Sequence, residues 1–163
     1  MTKENILDEC AIIIRSTGER TEELCKYAIE KNGVKKKNIY MIKNISPFSA
    51  ALKAGYRLAI RKNKKYTFFI DADMIPLPDA IRTMLTAAER FPENTFFFNP
   101  LAYDYISQTI VANGPHLYRT CYLEKAFSLV ENENVTMRPE TQVIKKMDSA
   151  GYPAIFIDVP VAM

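Results

Sequence analysis

Two aspartates two residues apart, Asp71 and Asp73, close the uninterrupted run Tyr66-Thr67-Phe68-Phe69-Ile70. A short stretch of β-branched and aromatic residues of this kind reads as a strand covered on both faces of a sheet. If the extended backbone continues past Ile70, the two carboxylates project the same way with only Ala72 between them. Like charges held that close repel each other, so the pair calls for a cation, or for a ligand that brings one. The plainer alternative is that one aspartate caps the next turn and the other is merely solvated.

The rest of the chain is ordinary globular material able to position such a pair. Its 163 residues predict one domain over 1–163. Hydrophobic residues make up 48% and charged residues 25%, the balance of a protein that buries a substantial core. A formal net charge of +3 is too small to argue for nucleic acid, and no basic strand studded with aromatics points to single-strand binding. Cys10, Cys25 and Cys121 are odd in number and widely spaced, which predicts reduced thiols and a cytoplasmic location instead of a disulfide framework or a zinc site. Met1 to Glu9 is polar and acidic, unlike a signal peptide, and no apolar run approaches the roughly 20 residues that span a bilayer. Membrane contact is therefore expected to be peripheral at most.

Cys10 to Ile14 predicts a first buried strand, followed by a polar loop, Arg15 to Arg20, with Gly18 at a turn. Thr21 reads as the N-cap of a helix with Glu22 and Glu23 in its first turn and Leu24, Tyr27 and Ala28 on its apolar face. Asn38 to Ile42 predicts the second strand and Phe48 to Ile60 a helix. The aspartate-tipped stretch is the third strand. Pro78 opens the next helix, buried through Ile81, Met84, Leu85 and Ala88. Thr95 to Phe98 predicts a fourth strand closed by Asn99 and Pro100. Beyond it, Ile106 to Val111 reads as an antiparallel strand, Gly114-Pro115 as a turn and Cys121 to Leu129 as a short helix. Asn132 to Asn134 breaks the pattern. A helix opening at Arg138-Pro139-Glu140-Thr141 carries Val143, Ile144 and Met147 inward and ends at Gly151 in a left-handed cap. Ala154 to Val159 is the last strand. Alternating strands and helices predict an α/β fold with a largely parallel sheet.

In such sheets ligands bind beyond the carboxyl ends of the strands. The loops Arg15 to Arg20, Asn44 to Phe48 and Asp71 to Pro76 are thus expected on one edge. Lys35 to Lys37 and Lys62, Lys64 and Lys65 are expected on the other, where they solvate the surface and complement helix ends, or alternatively meet anionic lipid.

Taken together, Asp71-Ala72-Asp73 after an apolar strand, Ser49 to Gly55 before it, Pro78 on a helix after it, then Pro139-Glu140-Thr141, the helix QVIKKMDSAGY and the closing PAIFIDVPVAM resemble family 2 glycosyltransferases. The likeness runs from Ala11 to Met163. It implies the GT-A fold and an inverting, metal-dependent transfer of a sugar from a nucleoside-diphosphate sugar to a hydroxyl acceptor on a glycan, lipid or protein. It implies Asp73 as direct ligand of Mn²⁺ or Mg²⁺, with Asp71 on the ribose or reaching the metal through water. Hard ions of this sort suit oxygen ligands, and no sulfur or imidazole cluster points to zinc.

By the same resemblance Arg15, Ser16 and Thr17 fall where the nucleoside is gripped, although the sequence around them departs from the usual Pro-Thr-Tyr-Asn. Lys53 stands where an asparagine is usual and is expected to neutralise phosphate. Glu140 falls at the family's base motif, with Thr141 in place of the aspartate that often serves as the base; a plain first-turn glutamate is the alternative, and Asp104 and Asp158 are weaker substitutes. His116 lies after the Gly-Pro turn, where acceptor loops occur, and a structural hydrogen bond is its plainer role. The family also places a histidine ligand past the last strand, beyond Met163, so the chain is expected to be minimal or truncated. A domain that binds a nucleotide sugar without turnover is the alternative function. A third reading takes Asp71 and Asp73 as nucleophile and acid of a phosphatase; resemblance to such enzymes weighs against it, since they carry Thr or Val where Ile75 stands and a later acidic doublet.

Overall fold

The computed structural model describes residues 5–112, 114–132 and 134–163. The polar opening at 1–4, Asn113 before the Gly-Pro turn and Glu133 in the pattern break lie outside them. The elements run α1 (Asn5–Asp8), β1 (Cys10–Ser16), α2 (Glu22–Lys31), β2 (Ile39–Lys43), α3 (Phe48–Lys62), β3 (Tyr66–Asp71), α4 (Ala80–Ala88), β4 (Phe97–Asp104), β5 (Thr109–Val111), β6 (His116–Arg119), α5 (Leu123–Ser128), α6 (Pro139–Ser149) and β7 (Ala154–Ala162).

The strands form one open sheet in the order β2-β1-β3-β6-β4-β5, with β7 paired to the other edge of β4. β1 pairs in parallel with both β2 and β3, and β7 pairs in parallel with β4. β6 is antiparallel to β3 and to β4, and β5 is antiparallel to β4. The α/β architecture and mostly parallel mixed sheet agree with the expectation from the sequence.

Period-two alternation decides which helix covers which residue. On one face Ile12, Ile14, Phe68 and Ile70 pack with Cys25 and Ile29 of α2 and Met84 and Leu85 of α4. On the other, Ile13, Phe69, Phe97 and Tyr118 pack with Leu52 and Tyr56 of α3 and Val143 and Met147 of α6. Each of these large side chains contributes about 1.5–3 kcal/mol on burial. α3 comes close enough to β3 that a Cβ on Gly55 would sit 2.5 Å from the Phe69 ring.

Several elements differ from the sequence expectation. Thr21 does not cap α2; its hydroxyl donates to the Ala72 carbonyl at 2.8 Å and ties the helix start to the loop after β3. The buried face of α2 is Cys25 and Ile29, four residues apart on one side of the helix, while Leu24 and Tyr27 are exposed. Asn99 and Pro100 do not end β4, which runs through them to Asp104 beside a register shift in its pairing with β7. The residues His116 to Arg119, expected between a turn and a helix, form the central strand β6.

Candidate functional site

β1, β2 and β3 run in parallel and end together, so the loops leaving them converge. They enclose a cleft of about 390 Å³ lined by Arg15, Ser16, Thr17, Glu19, Asp71 and Asp73, with Ile42, Ile45 and Phe48 as its apolar wall. Arg15 and Asp71 are register partners on adjacent strands, and the pairing follows from that. Arg15 Nε donates to Asp71 Oδ1 at 2.7 Å and Nη2 to Oδ2 at 3.3 Å. Its guanidinium lies 5.2 Å from the ring centre of Phe48 and 5.9 Å from that of Phe69.

The same guanidinium reaches Glu140 in the first turn of α6, with Nη1 3.4 Å from both carboxylate oxygens. The Arg15 and Glu140 side chains are each only 10% exposed. Tyr118 donates its hydroxyl to Glu140 Oε1 at 2.6 Å. His116 Nδ1 stands 3.3 Å from the same oxygen but out of line with it, and so makes no hydrogen bond. Burial opposes the charge on Glu140, but Arg15, then His116 and Tyr118, outweigh it and hold the carboxyl well below the usual carboxylate range. Burial likewise opposes the charge on Arg15, and Glu140 followed by Asp71 overcomes it, fixing the guanidinium more firmly in its charged form.

Asp73 is in the opposite situation. Burial first, then the neighbouring charge of Asp71 and that of Glu19, pushes its carboxyl up, and it forms no salt bridge among the described residues. Glu19 accepts from the Thr17 hydroxyl at 2.7 Å, the Ser16 hydroxyl at 2.8 Å and the Thr17 amide at 2.9 Å. These bonds, that of Thr17 foremost, bring its carboxyl down to about 2. The cleft therefore carries three carboxylates against the single charge of Arg15.

That excess of carboxylate is one that a cation would balance. Among the described residues no three His, Cys, Asp or Glu side chains converge to hold an ion unaided. A hard divalent ion held by one or two carboxylates, with water and ligand phosphates completing its shell, needs no such cluster. Asp73, uncommitted and repelled by its neighbours, fits that donor set.

The structure thus brings Arg15, Ser16, Thr17, Asp71 and Asp73 together and reaches Glu140 through Arg15. Lys53 is not in the cleft lining. Phe48 and Ala51 of α3 face the cleft, and two residues past Ala51 the helix has turned about 200°. Glu140, expected as the base, is engaged by Arg15 and Tyr118, which hold its carboxyl below the usual carboxylate range. Asp104 is no nearer: it accepts from the Ile106 and Ser107 amides in the exposed β4–β5 turn. Sequence reasoning missed Glu19 and Tyr118. Glu19 carried a signal, since an acid two or three residues after Ser16-Thr17 with Gly18 between closes a local turn. Tyr118 carried one too, in its alternation with His116.

Glu140 and His116 also line a second cleft of about 410 Å³, together with Asn99, Arg138 and Phe156. A larger cavity of about 620 Å³ lies at the opposite edge, beside Lys65, Glu89 and Arg119. There Lys65 pairs with Glu89 and Arg119 donates through Nη2 to the carbonyls of Ala88, Phe91 and Pro92, while Arg119 Nε is buried without a partner and Glu93 and Glu124 also line the cavity. The chemistry sits at the carboxyl edge.

No protein-family model and no curated protein matches the sequence. The fold is shared with solved structures. A cytidylyltransferase from Leptospira borgpetersenii serovar Hardjo-bovis superposes with a TM-score of 0.62 at 11% identity, over 93% of this chain and 76% of that one. A CMP:2-keto-3-deoxy-manno-octonic acid synthetase complexed with CTP gives 0.58 at 11%, over 94% and 90%. A glycosyltransferase involved in glycosylation of the major capsid of PBCV-1 gives 0.54 at 16%, over 93% and 81%. The chain has the Rossmann-like α/β architecture of the GT-A type.

Proposed function

We propose that this protein is a transferase that handles a nucleotide sugar, and specifically an inverting, metal-dependent glycosyltransferase similar to family 2. The observation that carries the reading is the ion set at the carboxyl edge: Arg15 clamped between Asp71 and Glu140, with uncommitted Asp73 beside it. In this reading the nucleoside lies against Ile42, Ile45 and Phe48, and Arg15 faces the diphosphate. Asp73, with Asp71 behind it, would hold Mn²⁺ or Mg²⁺, which supplies neutralisation of the charge gathering on the leaving diphosphate. Glu140 and Tyr118 keep Arg15 aimed at that position. The acceptor hydroxyl approaches from the second cleft, across the wall that Glu140 and His116 form.

The neighbours named as a cytidylyltransferase and a synthetase complexed with CTP favour a second reading, transfer of a nucleotidyl group from a nucleoside triphosphate to a sugar. Binding without turnover is the third. Product analysis separates them. Incubation with nucleotide sugars and Mn²⁺ should release nucleoside diphosphate at a rate that Asp73→Asn lowers at least a hundredfold. Release of pyrophosphate from a nucleoside triphosphate and a sugar phosphate would replace the first reading with the second, and no release in either assay would leave binding alone.

A further inference from the structure

α3 and the turn after it carry charge of one sign. Residues 48–65 hold six Lys or Arg and no Asp or Glu. The whole chain has a net charge of only +3, so the rest of it is net acidic and the positive charge is gathered on one element. Lys53, Arg57 and Arg61 stand about one turn apart and make a stripe about 12 Å long on one side of the helix. Arg57, Arg61 and Lys62 are exposed and Lys53 is half-buried. None of the four forms a salt bridge among the described residues, whereas Lys65 beyond them pairs with Glu89 and Lys64 donates to the Asp8 carbonyl.

Aromatic rings, not carboxylates, hold several of these cations. The Arg57 guanidinium lies 4.8 Å from the ring centre of Phe127 on α5, and Lys62 Nζ lies 4.3 Å from that of Tyr40 on β2. Lys125 of α5, the helix packed beside α3, stands 4.4 Å from the ring centre of Tyr152. The three rings pack with the core on the α3 side of the sheet, so the three cations share one face. A ring orders a cation without cancelling its charge. The acid of α5, Glu124, lines the cavity at the far edge with Lys64 and Lys65.

Shape decides what such a face would meet. A single anion is held by donors that converge. These cations are spread along the helix, around a shallow groove lined by Ala54, Arg57, Ile60 and Arg61 of α3, and so address an extended array of anions. Single-stranded nucleic acid would need free aromatic faces for its bases, and the rings here are already covered by cations. An acidic polypeptide would want a pocket for an anchoring side chain, and this face has only the shallow groove. Among the described residues no large apolar side chain is exposed from Arg57 to Lys65, so nothing inserts and contact is made through charge. A leaflet of anionic head groups meets these conditions, since each Lys or Arg near such a surface strengthens attachment about fivefold and no pocket is required.

We propose that the outer face of α3 docks the protein on an anionic lipid surface, with Lys53, Arg57, Arg61 and Lys62 set against the head groups. Phe48 and Ala51, toward the other end of α3, line the first cleft, so that cleft stays open on the docked protein. The docking does not depend on the reaction at that cleft.

Co-sedimentation of the full chain with vesicles tests it, using phosphatidylcholine alone and phosphatidylcholine mixed with phosphatidylserine. The mixed vesicles should bind at least about tenfold more tightly, and added salt should abolish the difference because the contact is exposed to screening. Arg57→Gln combined with Arg61→Gln should weaken that binding at least about tenfold, and Arg61→Glu, which disturbs no ring contact, should do the same alone. Both positions are exposed, so the folded state is preserved, as unchanged melting temperatures would show. Lys31→Gln combined with Arg90→Gln removes the same charge at the ends of α2 and α4, on the other face of the sheet, and should change binding by less than about threefold. Equal binding to the two kinds of vesicle, binding untouched by the α3 substitutions, or an equal loss from the control pair would overturn the proposal. Tighter binding to poly-glutamate or to single-stranded DNA than to the mixed vesicles would assign the face to another polyanion and overturn it as well.

Discussion

Arg15 is the residue on which the two halves of the edge depend, because it is nearly buried and its charge is tolerated only beside Asp71 and Glu140. Replacing Glu140 leaves Arg15 paired with Asp71 alone and removes the charged acceptor of the Tyr118 hydroxyl, at a cost of about 1.5–3 kcal/mol. Glu140→Gln should therefore lower the unfolding free energy by about that amount in urea titrations, while a comparable change at exposed Lys145 should be nearly silent. The pH dependence has a defined sign. Glu140 has a folded-state pKa below its ordinary value of 4.5, so its contribution is complete above that value and is lost as pH falls below it. The stability gap between parent and Glu140→Gln should shrink from pH 6 to pH 3, and a gap constant over that range would show the pairing to be unimportant. Asp73 works in reverse. Its folded-state pKa is raised, so the charged form strains the free protein and the strain eases as pH falls through that value. Asp73→Asn should leave the unliganded protein as stable as the parent or slightly more so, as read from its melting temperature near pH 7. Asp71 at the end of an apolar strand was legible. The extended backbone does not continue to Asp73, however: a turn begins there, with the Met74 amide donating to the Asp71 carbonyl at 3.0 Å, and Asp71 pairs with Arg15 while Asp73 does not. The commitment of Glu140 was not legible, since it depends on Arg15 and Tyr118, far off in the chain.

At the scale of elements, the parallel half of the sheet was legible and the antiparallel half was not. Ile12 to Ile14 and Phe68 to Ile70 are continuous apolar runs, as strands covered on both faces must be. β6 has four residues, His-Leu-Tyr-Arg, and two of them are polar or basic. Its centrality comes from pairing with β3 and β4, a long-range property that no local pattern displays. Lys53 failed for a related reason: a helix is recognised by its period, but the direction of any one residue is set by how the helix lands on the sheet. For α3 that landing is fixed at Gly55. Gly55→Ala would drive a methyl group into the Phe69 ring and should destabilise the protein by about 1–3 kcal/mol. Since Phe69 lies beneath Arg15, the same substitution should also weaken ligand binding in the first cleft, which calorimetry with a nucleoside diphosphate would register.

The whole molecule is a sheet that gathers its chemistry at one edge and divides it by charge. The first cleft is rich in carboxylates, the second carries Arg138 and Lys145 on its rim, and Glu140 lies between them, lining the second and bonded to Arg15 of the first. Cations at the far edge are absorbed in pairs, such as Lys35 with Asp8 and Lys65 with Glu89. No helix among the described residues is long and apolar enough to cross a membrane. Fold class followed from the alternation of strands and helices, whereas the second cleft was hidden because β4, β6, β7 and α6 meet there from four separate parts of the chain.

We propose that the first cleft binds a nucleoside diphosphate with a divalent cation at Asp73. A thermal-shift panel of UDP, GDP, CDP and dTDP with and without Mn²⁺, run on the parent and on Asp73→Ala, tests it most directly. The melting temperature should rise for at least one nucleotide, in a manner dependent on Mn²⁺ and absent in Asp73→Ala. No rise with any nucleotide, or a rise that survives the substitution undiminished, would contradict it.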